Sequence, residues 1–384
     1  MLNLSFSYQA LPVTFGTRRV NISALTAPSL FTRLRNLSLR PLFGISLSLL
    51  FNFLLITLST QALAQPATQE VNLYTTREPK LIAPLIEAFT RQTGIEVNTA
   101  FMKDGMAEKL KSEQKNSPAD VLMVVDIGQI VDLDEAGAFQ PIDSQELNSA
   151  IPAHLRSAQG TWYALSLRDR VLYAEPRLGL KAFTYEELAS PEWKGQVCIR
   201  SGQHPYNIGL IAAMLAHNGA EQTEQWLRGV KQNLARPAVG GDRDVARDIL
   251  GGICDLGIAN AYYAGQMKTA KIGSDARKWG DAIQVIRPTF AKSGGTFVNI
   301  SAAGVAQHAP HKANAIKFLE FLASEAGQNL YARADFEYPV RKGVALDPIV
   351  ESFGPLRPDT LPIKDIAQLR KQASMLVDKV KFDY

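Results

Sequence analysis

The chain has 384 residues, 46% of them hydrophobic, and a formal net charge of +4. This length is enough for two domains with large cores. The five arginines of residues 1–64 are the only charged residues there, so the other 36 basic and 37 acidic residues give residues 65–384 a net charge of −1. A nucleic-acid partner needs a basic face. No basic run occurs in this part of the chain, so the composition excludes nucleic-acid binding as the main function.

Residues 1–64 have the pattern of an export signal. Arginines precede the apolar run LFGISLSLLFNFLLITL at 42–58, and the small-x-small pattern ALA follows at 62–64. These are the three parts of a secretory signal peptide. We therefore expect export to the periplasm with cleavage after Ala64. A retained membrane anchor is the alternative, because the apolar run approaches spanning length.

Strand and helix patterns alternate along residues 70–384. The run ADVLMVV at 119–125 is nearly continuously apolar, which is typical of a strand in a parallel sheet covered on both faces. Apolar residues at helical spacing over 81–93 predict an amphipathic helix that ends at Gly94. The alternation indicates an α/β fold. The predicted strands are 71–74, 95–101, 119–125, 162–173, 196–200, 254–260 and 295–304, and the predicted helices are 81–93, 106–113, 130–136, 208–217, 221–229, 242–250, 314–330 and 369–380.

The chain contains two cysteines, Cys198 and Cys254. Disulfides persist in exported proteins, so one bridge is expected, and two buried thiols are the alternative. Two cysteines alone cannot form a structural zinc site, and no histidine spacing completes one.

Two adjacent tyrosines follow the predicted strand 254–260, in the sequence IANAYYAG. Ligands of open α/β sheets bind at the carboxyl ends of strands. Neighbouring strand residues point to opposite faces, so Tyr262 and Tyr263 converge only if the chain turns there, which Gly265 would permit. One core tyrosine beside one surface tyrosine is the simpler alternative.

A third tyrosine, Tyr206, follows another predicted strand in SGQHPYN. Ser201 and Gly202 supply a hydroxyl group and flexible backbone just before a helix, an arrangement that suits an anion. The alternative is an ordinary helix start that is capped by Ser201 or Asn207, with Tyr206 packed locally.

Arginines are the other candidates for binding. Arg168 and Arg170 alternate in ALSLRDR, so a strand places both on one face. They form either an anion clamp or ion pairs with neighbouring carboxylates. Arg77 and Glu78 follow the first strand, where an exposed salt bridge of little energetic value is the simplest interpretation. No nucleophile elbow, phosphate-binding glycine loop or zinc motif is present, so no enzymatic activity is expected.

Together these motifs extend over residues 70–384 in a fixed order. The segments are VNLYTTREP at 71–79, TGIEV at 93–97, PADVLMVVD at 118–126, WYALSLRDRVLY at 162–173, SPEWKGQVCIRSGQHPYN at 190–207, IANAYYAG at 258–265, GTFVNISAAGV at 295–305 and EYPVR at 337–341. None is specific alone. Their combination resembles the ferric-ion-binding periplasmic proteins of bacterial ABC transporters.

The resemblance implies a two-lobed periplasmic binding protein fold of type II, with a ligand cleft between the lobes and a hinge that the chain crosses more than once. Lobe 1 is expected to comprise 70–167 plus 296–346, and lobe 2 to comprise 168–295 plus 347–384. The resemblance also implies a monomer that delivers iron to an ABC permease in the inner membrane.

The resemblance further implies roles for single residues. The implied Fe(III) ligands are Tyr206, Tyr262 and Tyr263. The residues implied for a synergistic anion, often carbonate, are Arg168, Arg77, Ser201 and Gly202. Glu78 stands where some members have a histidine ligand, and Pro79 where others have a tyrosine. Whether Glu78 binds metal is left open.

Iron chemistry is consistent with this donor set. Fe(III) is a hard cation that favours oxygen ligands, and a bound cation stabilises phenolates although a free phenol has a pKa of about 10. The alternative within the fold is a binding protein for another small solute, namely an anion, an organic cation or a chelated metal. An exported hydrolase or transferase and a membrane-anchored sensor are the other classes.

Overall fold

The computed structural model of the protein describes residues 69–384. The predicted signal peptide lies outside these residues. Within them, no helix is both long and apolar enough to cross a membrane. The strands are β1 (Glu70–Thr75), β2 (Glu96–Phe101), β3 (Val121–Val124), β4 (Tyr163–Ala174), β5 (Val197–Cys198), β6 (Leu256–Asn260), β7 (Gln284–Ile286), β8 (Val298–Val305) and β9 (Tyr338–Pro339). The α-helices are α1 (Pro79–Thr93), α2 (Met106–Glu113), α3 (Ile127–Glu135), α4 (Gln145–Ala150), α5 (Pro205–Gln232), α6 (Asp242–Leu250), α7 (Ala261–Lys268), α8 (Asp275–Asp281), α9 (Lys312–Ala323), α10 (Glu325–Ala334), α11 (Pro348–Ser352) and α12 (Ile363–Lys379).

Strand β4 joins the two halves of the sheet. Its first part, up to Asp169, pairs with β8 and β9, and β8 continues the sheet to β3, β1 and β2. Its last part, from Arg170 onwards, pairs with β6 and β7, and β5 pairs with β6. The strand therefore belongs to two lobes, which confirms the two-lobed α/β fold. The lobe boundaries given above remain predictions.

Local sequence signals account for most of the elements. All four residues of β3 are buried, as the apolar run 119–125 predicts. Helix α5 contains a break at Gly219, whose φ of 77° and ψ of 172° are not helical, so the two predicted helices 208–217 and 221–229 are correct. The single helix predicted over 314–330 is wrong. It is two helices, because Ser324 caps α10 by accepting a hydrogen bond from the backbone N–H of Gly327.

The two cysteines form a disulfide, which confirms the first interpretation of the pair. Cys198 ends β5, and Cys254 lies in the loop before β6, 56 residues further along the chain. Both are buried. The bridge closes the segment that contains α5 and α6, and it lies beside the short parallel pairing of β5 with β6.

Removing this bridge is expected to lower the free energy of unfolding by about 4 kcal/mol, since a cross-link over a loop of this length restricts the unfolded chain by that amount. Urea unfolding of the wild type with and without reductant, and of the C198A/C254A variant, measures the difference. Reductant should leave the unfolding midpoint of the variant unchanged. Equal midpoints for oxidised and reduced wild type would contradict this expectation.

Candidate metal centre

Tyr262 and Tyr263 lie in the first turn of α7, directly after β6. Successive helix residues are about 100° apart around the axis, and those of a strand point to opposite faces. The helix begins at Ala261, so the two phenols lie close together. Their ring centroids are 4.0 Å apart. The predicted turn at Gly265 is wrong. This glycine lies inside α7, where a Cβ would come within 2.6 Å of the Phe336 ring.

Both phenols of the pair hold their protons strongly. Tyr262 is only 5% exposed, and burial, with the phenols of Tyr206 and Tyr263 nearby, raises its pKa well above the ordinary value. Burial raises the pKa of half-buried Tyr263 to about 12. The metal-free protein therefore carries neutral phenols here at neutral pH. A cation must displace their protons to bind the oxygens.

Tyr206 lies in the first turn of α5 and is half-buried. Its charge state influences the pKa of both members of the tyrosine pair, so the three phenols share one electrostatic environment. Three guanidinium groups surround its ring, with Cζ to centroid distances of 5.4 Å for Arg168, 6.0 Å for Arg170 and 5.3 Å for Arg200. The structure thus brings three predicted tyrosines together with Arg168.

Arg170 connects the two segments that carry the tyrosines. Its Nη2 donates to Asn207 Oδ1 at 2.6 Å, and Asn207 follows Tyr206. Its Nη1 donates to Asn260 Oδ1 at 3.0 Å, two residues before the tyrosine pair. The same Nη1 forms an ion pair with Asp242 Oδ2 at 2.6 Å, and both side chains of this pair are 0% exposed. Arg170 therefore fixes the start of α5 relative to the start of α7.

Asp242 completes this buried network. It accepts a hydrogen bond from the backbone N–H of Asn260 at 2.8 Å. Burial opposes its ionisation, but Arg170 and Arg200 hold its pKa below the ordinary value. The sequence identified Arg170 as a candidate for binding an anion or pairing with a carboxylate, and the second interpretation is correct. It did not identify Asp242 or Asn207 as partners, because neither is close to Arg170 along the chain.

Arg168 lies at the junction of the lobes and is 3% exposed. Its Nη2 donates to the carbonyl oxygen of Ile300 at 2.9 Å and to that of Val125. Its Nε is buried and has no hydrogen-bond partner within residues 69–384. Beside the Tyr206 ring, the guanidinium therefore retains donor capacity.

Arg77 is buried instead of lying in an exposed salt bridge. It pairs with Asp335 and with Glu337, whose Oε1 is 3.2 Å from Nη1, and its guanidinium stacks 5.0 Å from the centroid of Tyr331. Two internal carboxylates therefore already balance its charge. Glu78 is exposed at the start of α1, and its side chain makes no capping hydrogen bond.

The predicted anion site at Ser201 and Gly202 holds a carboxylate of the protein itself. Ser201 Oγ donates to Asp383 Oδ2 at 2.6 Å, and the backbone N–H of Gly202 donates to Asp383 Oδ1 at 2.6 Å. The donors that were expected to contact an external anion are therefore engaged within the chain.

The model of the bacterial extracellular solute-binding protein family matches residues 84–354. The chain belongs to this family. It is similar to Iron uptake protein A1 of Synechocystis sp., with 37% identity over 314 residues that cover 81% of this chain and 87% of that protein.

Two solved structures of relatives share the fold over the same part of the chain. The Bordetella ferric binding protein is 67% identical, with a TM-score of 0.77, and the match covers 82% of this chain and 100% of that chain. A Trichodesmium protein in complex with iron and citrate ligands is 37% identical, with a TM-score of 0.76, covering 82% of this chain and 99% of that chain. Both likenesses extend over nearly all of the described residues.

Proposed function

We propose that the protein is the periplasmic Fe(III)-binding component of an ABC importer and that it has no enzymatic activity. The observation that carries the proposal is the convergence of three phenols from the starts of α5 and α7, held together by Arg170. The names of the relatives, which describe iron uptake and ferric binding, support the choice of metal. We further propose that a signal peptide is cleaved after Ala64 and that the mature protein is a monomer.

The proposed iron ligands are the oxygens of Tyr206, Tyr262 and Tyr263. Fe(III) is a hard cation, and three phenolates balance its charge. The surrounding arginines favour the anionic form of the phenols once the protons have left. We assign the synergistic anion, expected to be carbonate, to Arg168, because its buried Nε has no partner within residues 69–384 and an anion next to iron needs a compensating positive charge.

The two lobes supply a mechanism for capture and release. The proposed ligands follow β5 and β6, which join the last part of β4. Arg168 contacts the carbonyl groups of Val125, which follows β3, and of Ile300, which lies in β8, both in the other half of the sheet. Closure about β4 would bring the lobes together over the ion, the hinge motion of periplasmic binding proteins. We propose that the permease of the inner membrane recognises this closed form.

Titration of the metal-free protein with Fe(III) in bicarbonate buffer tests the proposal. Phenolate-to-iron charge transfer should produce a broad visible absorption band that saturates at one iron per protein. A second titration with Fe(III) citrate tests whether the protein binds the free ion or a chelate of iron. The chelate is the relevant alternative because the Trichodesmium structure contains iron and citrate ligands. A protein that stays colourless in both titrations would exclude the proposed function.

Acid is expected to weaken iron binding steeply. The raised pKa values of Tyr262 and Tyr263 keep both phenols protonated at neutral pH, so each must release a proton when it binds iron. Release of these two protons lowers the affinity by about a hundredfold for each pH unit of acidification. Competition with a chelator of known proton affinity between pH 6 and 8 measures this slope. An affinity that does not change with pH would contradict phenolate ligation.

A further inference from the structure

We infer that Asp383 is a positioning residue for iron binding: it fixes the loop 201–204, which leads directly into the first turn of α5 and Tyr206. The inference rests on the proposed function, since it concerns one of the proposed ligands. It assigns a role to the segment that follows α12, which contacts the loop before α5 through Asp383.

Both carboxylate oxygens of Asp383 accept hydrogen bonds from this loop. Ser201 Oγ and the N–H of Gly202 donate at 2.6 Å each, and the N–H of Gln203 donates to Oδ2 at 3.3 Å. Hydrogen bonds to a charged acceptor are roughly twice as strong as those between neutral groups. One carboxylate thus holds three consecutive residues of the loop.

The loop also fits closely against α12. Gln203 Nε2 donates to the carbonyl oxygen of Ser374 at 3.0 Å and to Asp378 Oδ1 at 2.8 Å. A Cβ at Gly202 would lie 2.8 Å from the Phe382 ring and 2.9 Å from Val377. Glycine is therefore required for this approach, and the loop cannot shift towards the helix to compensate for a lost contact.

Hydrogen bonds of two neighbouring residues, His204 and Asn207, connect Ser201 to Tyr206. The N–H of His204 donates to the carbonyl oxygen of Ser201 at 3.2 Å, and His204 Nδ1 accepts a hydrogen bond from the N–H of Tyr206 at 3.2 Å. Asn207 Nδ2 donates to the same carbonyl oxygen at 3.0 Å. Arg170 holds Asn207 from the opposite side. Tyr206 is therefore held in place by contacts from two sides. The buried Arg170 acts through Asn207, and Asp383, which follows α12, acts through the loop before α5.

If the contact of Asp383 only held the segment after α12 in place, its loss would have a different effect. Its loss would lower thermal stability and leave the iron ligands unchanged. The D383A and D383N variants are therefore compared with the wild type for the rate of iron release to excess chelator and for the visible band. D365N is the matched control, because Asp365 is an exposed residue of α12 itself.

Loss of Asp383 is expected to speed iron release by about tenfold or more, the effect of losing hydrogen bonds to a charged group. The visible band of D383A should shift towards the band of Y206F. The release rate and the band of D383N should lie between those of D383A and the wild type. The Y206F background is decisive. If Asp383 acts through Tyr206, adding D383A to Y206F should change the release rate by less than about twofold.

Two results would overturn the inference. One is iron release from D383A and D383N at the wild-type rate. The other is an equal effect of D383A with and without Tyr206. If D383A does not fold, D383N alone decides by the same two comparisons. A wild-type protein that binds no iron would instead refute the proposed function, so the two failures are distinguishable.

Discussion

Replacement of Tyr262 or Tyr263 by phenylalanine is expected to weaken and shift the visible iron band and to lower iron affinity by more than about a hundredfold. Each substitution removes one anionic oxygen donor and keeps the ring. The loss should exceed the 10–100-fold that follows removal of a partner outside the ligand sphere. Iron titration of each variant, with affinity measured by chelator competition, gives the result.

Tyr331→Phe is the matched control for these two variants. Tyr331 is fully buried, and its hydroxyl group has no hydrogen-bond partner within residues 69–384. Its removal should leave both the band and the affinity unchanged. An unchanged band and affinity in Tyr262→Phe and Tyr263→Phe, or a changed band in the control, would contradict the assignment of the pair as ligands.

Replacement of Arg170 by alanine is expected to lower the free energy of unfolding by about 3 kcal/mol, the lower end of the cost of breaking a buried ion pair, because the carboxylate of Asp242 then keeps only Arg200 as an ionic partner, at 3.2 Å. It should also weaken iron binding, since Asn207 and Asn260 lose the group that connects them. Urea unfolding of the metal-free variant and iron titration measure the two effects.

Two further variants distinguish the effect of breaking the buried pair of Arg170 and Asp242 from the effect of losing any charged side chain. Arg177→Ala removes an arginine whose side chain is 62% exposed and pairs with Glu175 and Asp255, and it should cost at most about 1 kcal/mol. R170M/D242L removes both buried charges and should cost less than Arg170→Ala alone. A free energy of unfolding for Arg170→Ala within about 1 kcal/mol of the wild type would contradict the role of this pair.

Elements with strong local signals were predictable from the sequence. The bounds of α2 and α6 agree with the predicted ranges 106–113 and 242–250, and apolar runs located the buried strands. The start of α7 was not predictable. Asn260 occupies its N-cap position but makes no side-chain capping hydrogen bond, since its amide oxygen accepts from Arg170 instead. A tertiary contact therefore decides where this helix begins.

The site was predictable only in part for the same reason. The candidate ligands occur in short motifs, whereas the groups that orient them come from distant parts of the chain. Asp383 is 182 residues from Ser201, and Asp242 is 72 residues from Arg170. Arg77 was expected at the surface because an Arg-Glu dipeptide carries no sign of the two carboxylates at Asp335 and Glu337. Burial of a charge depends on such long-range partners.

Diffraction from crystals of the iron-loaded protein at the iron absorption edge locates the metal relative to the three tyrosines. We expect one anomalous peak within bonding distance of the hydroxyl oxygens of Tyr206, Tyr262 and Tyr263, with an anion between the metal and Arg168. An iron peak that contacts none of these three oxygens, or no iron peak in coloured crystals, would contradict this expectation.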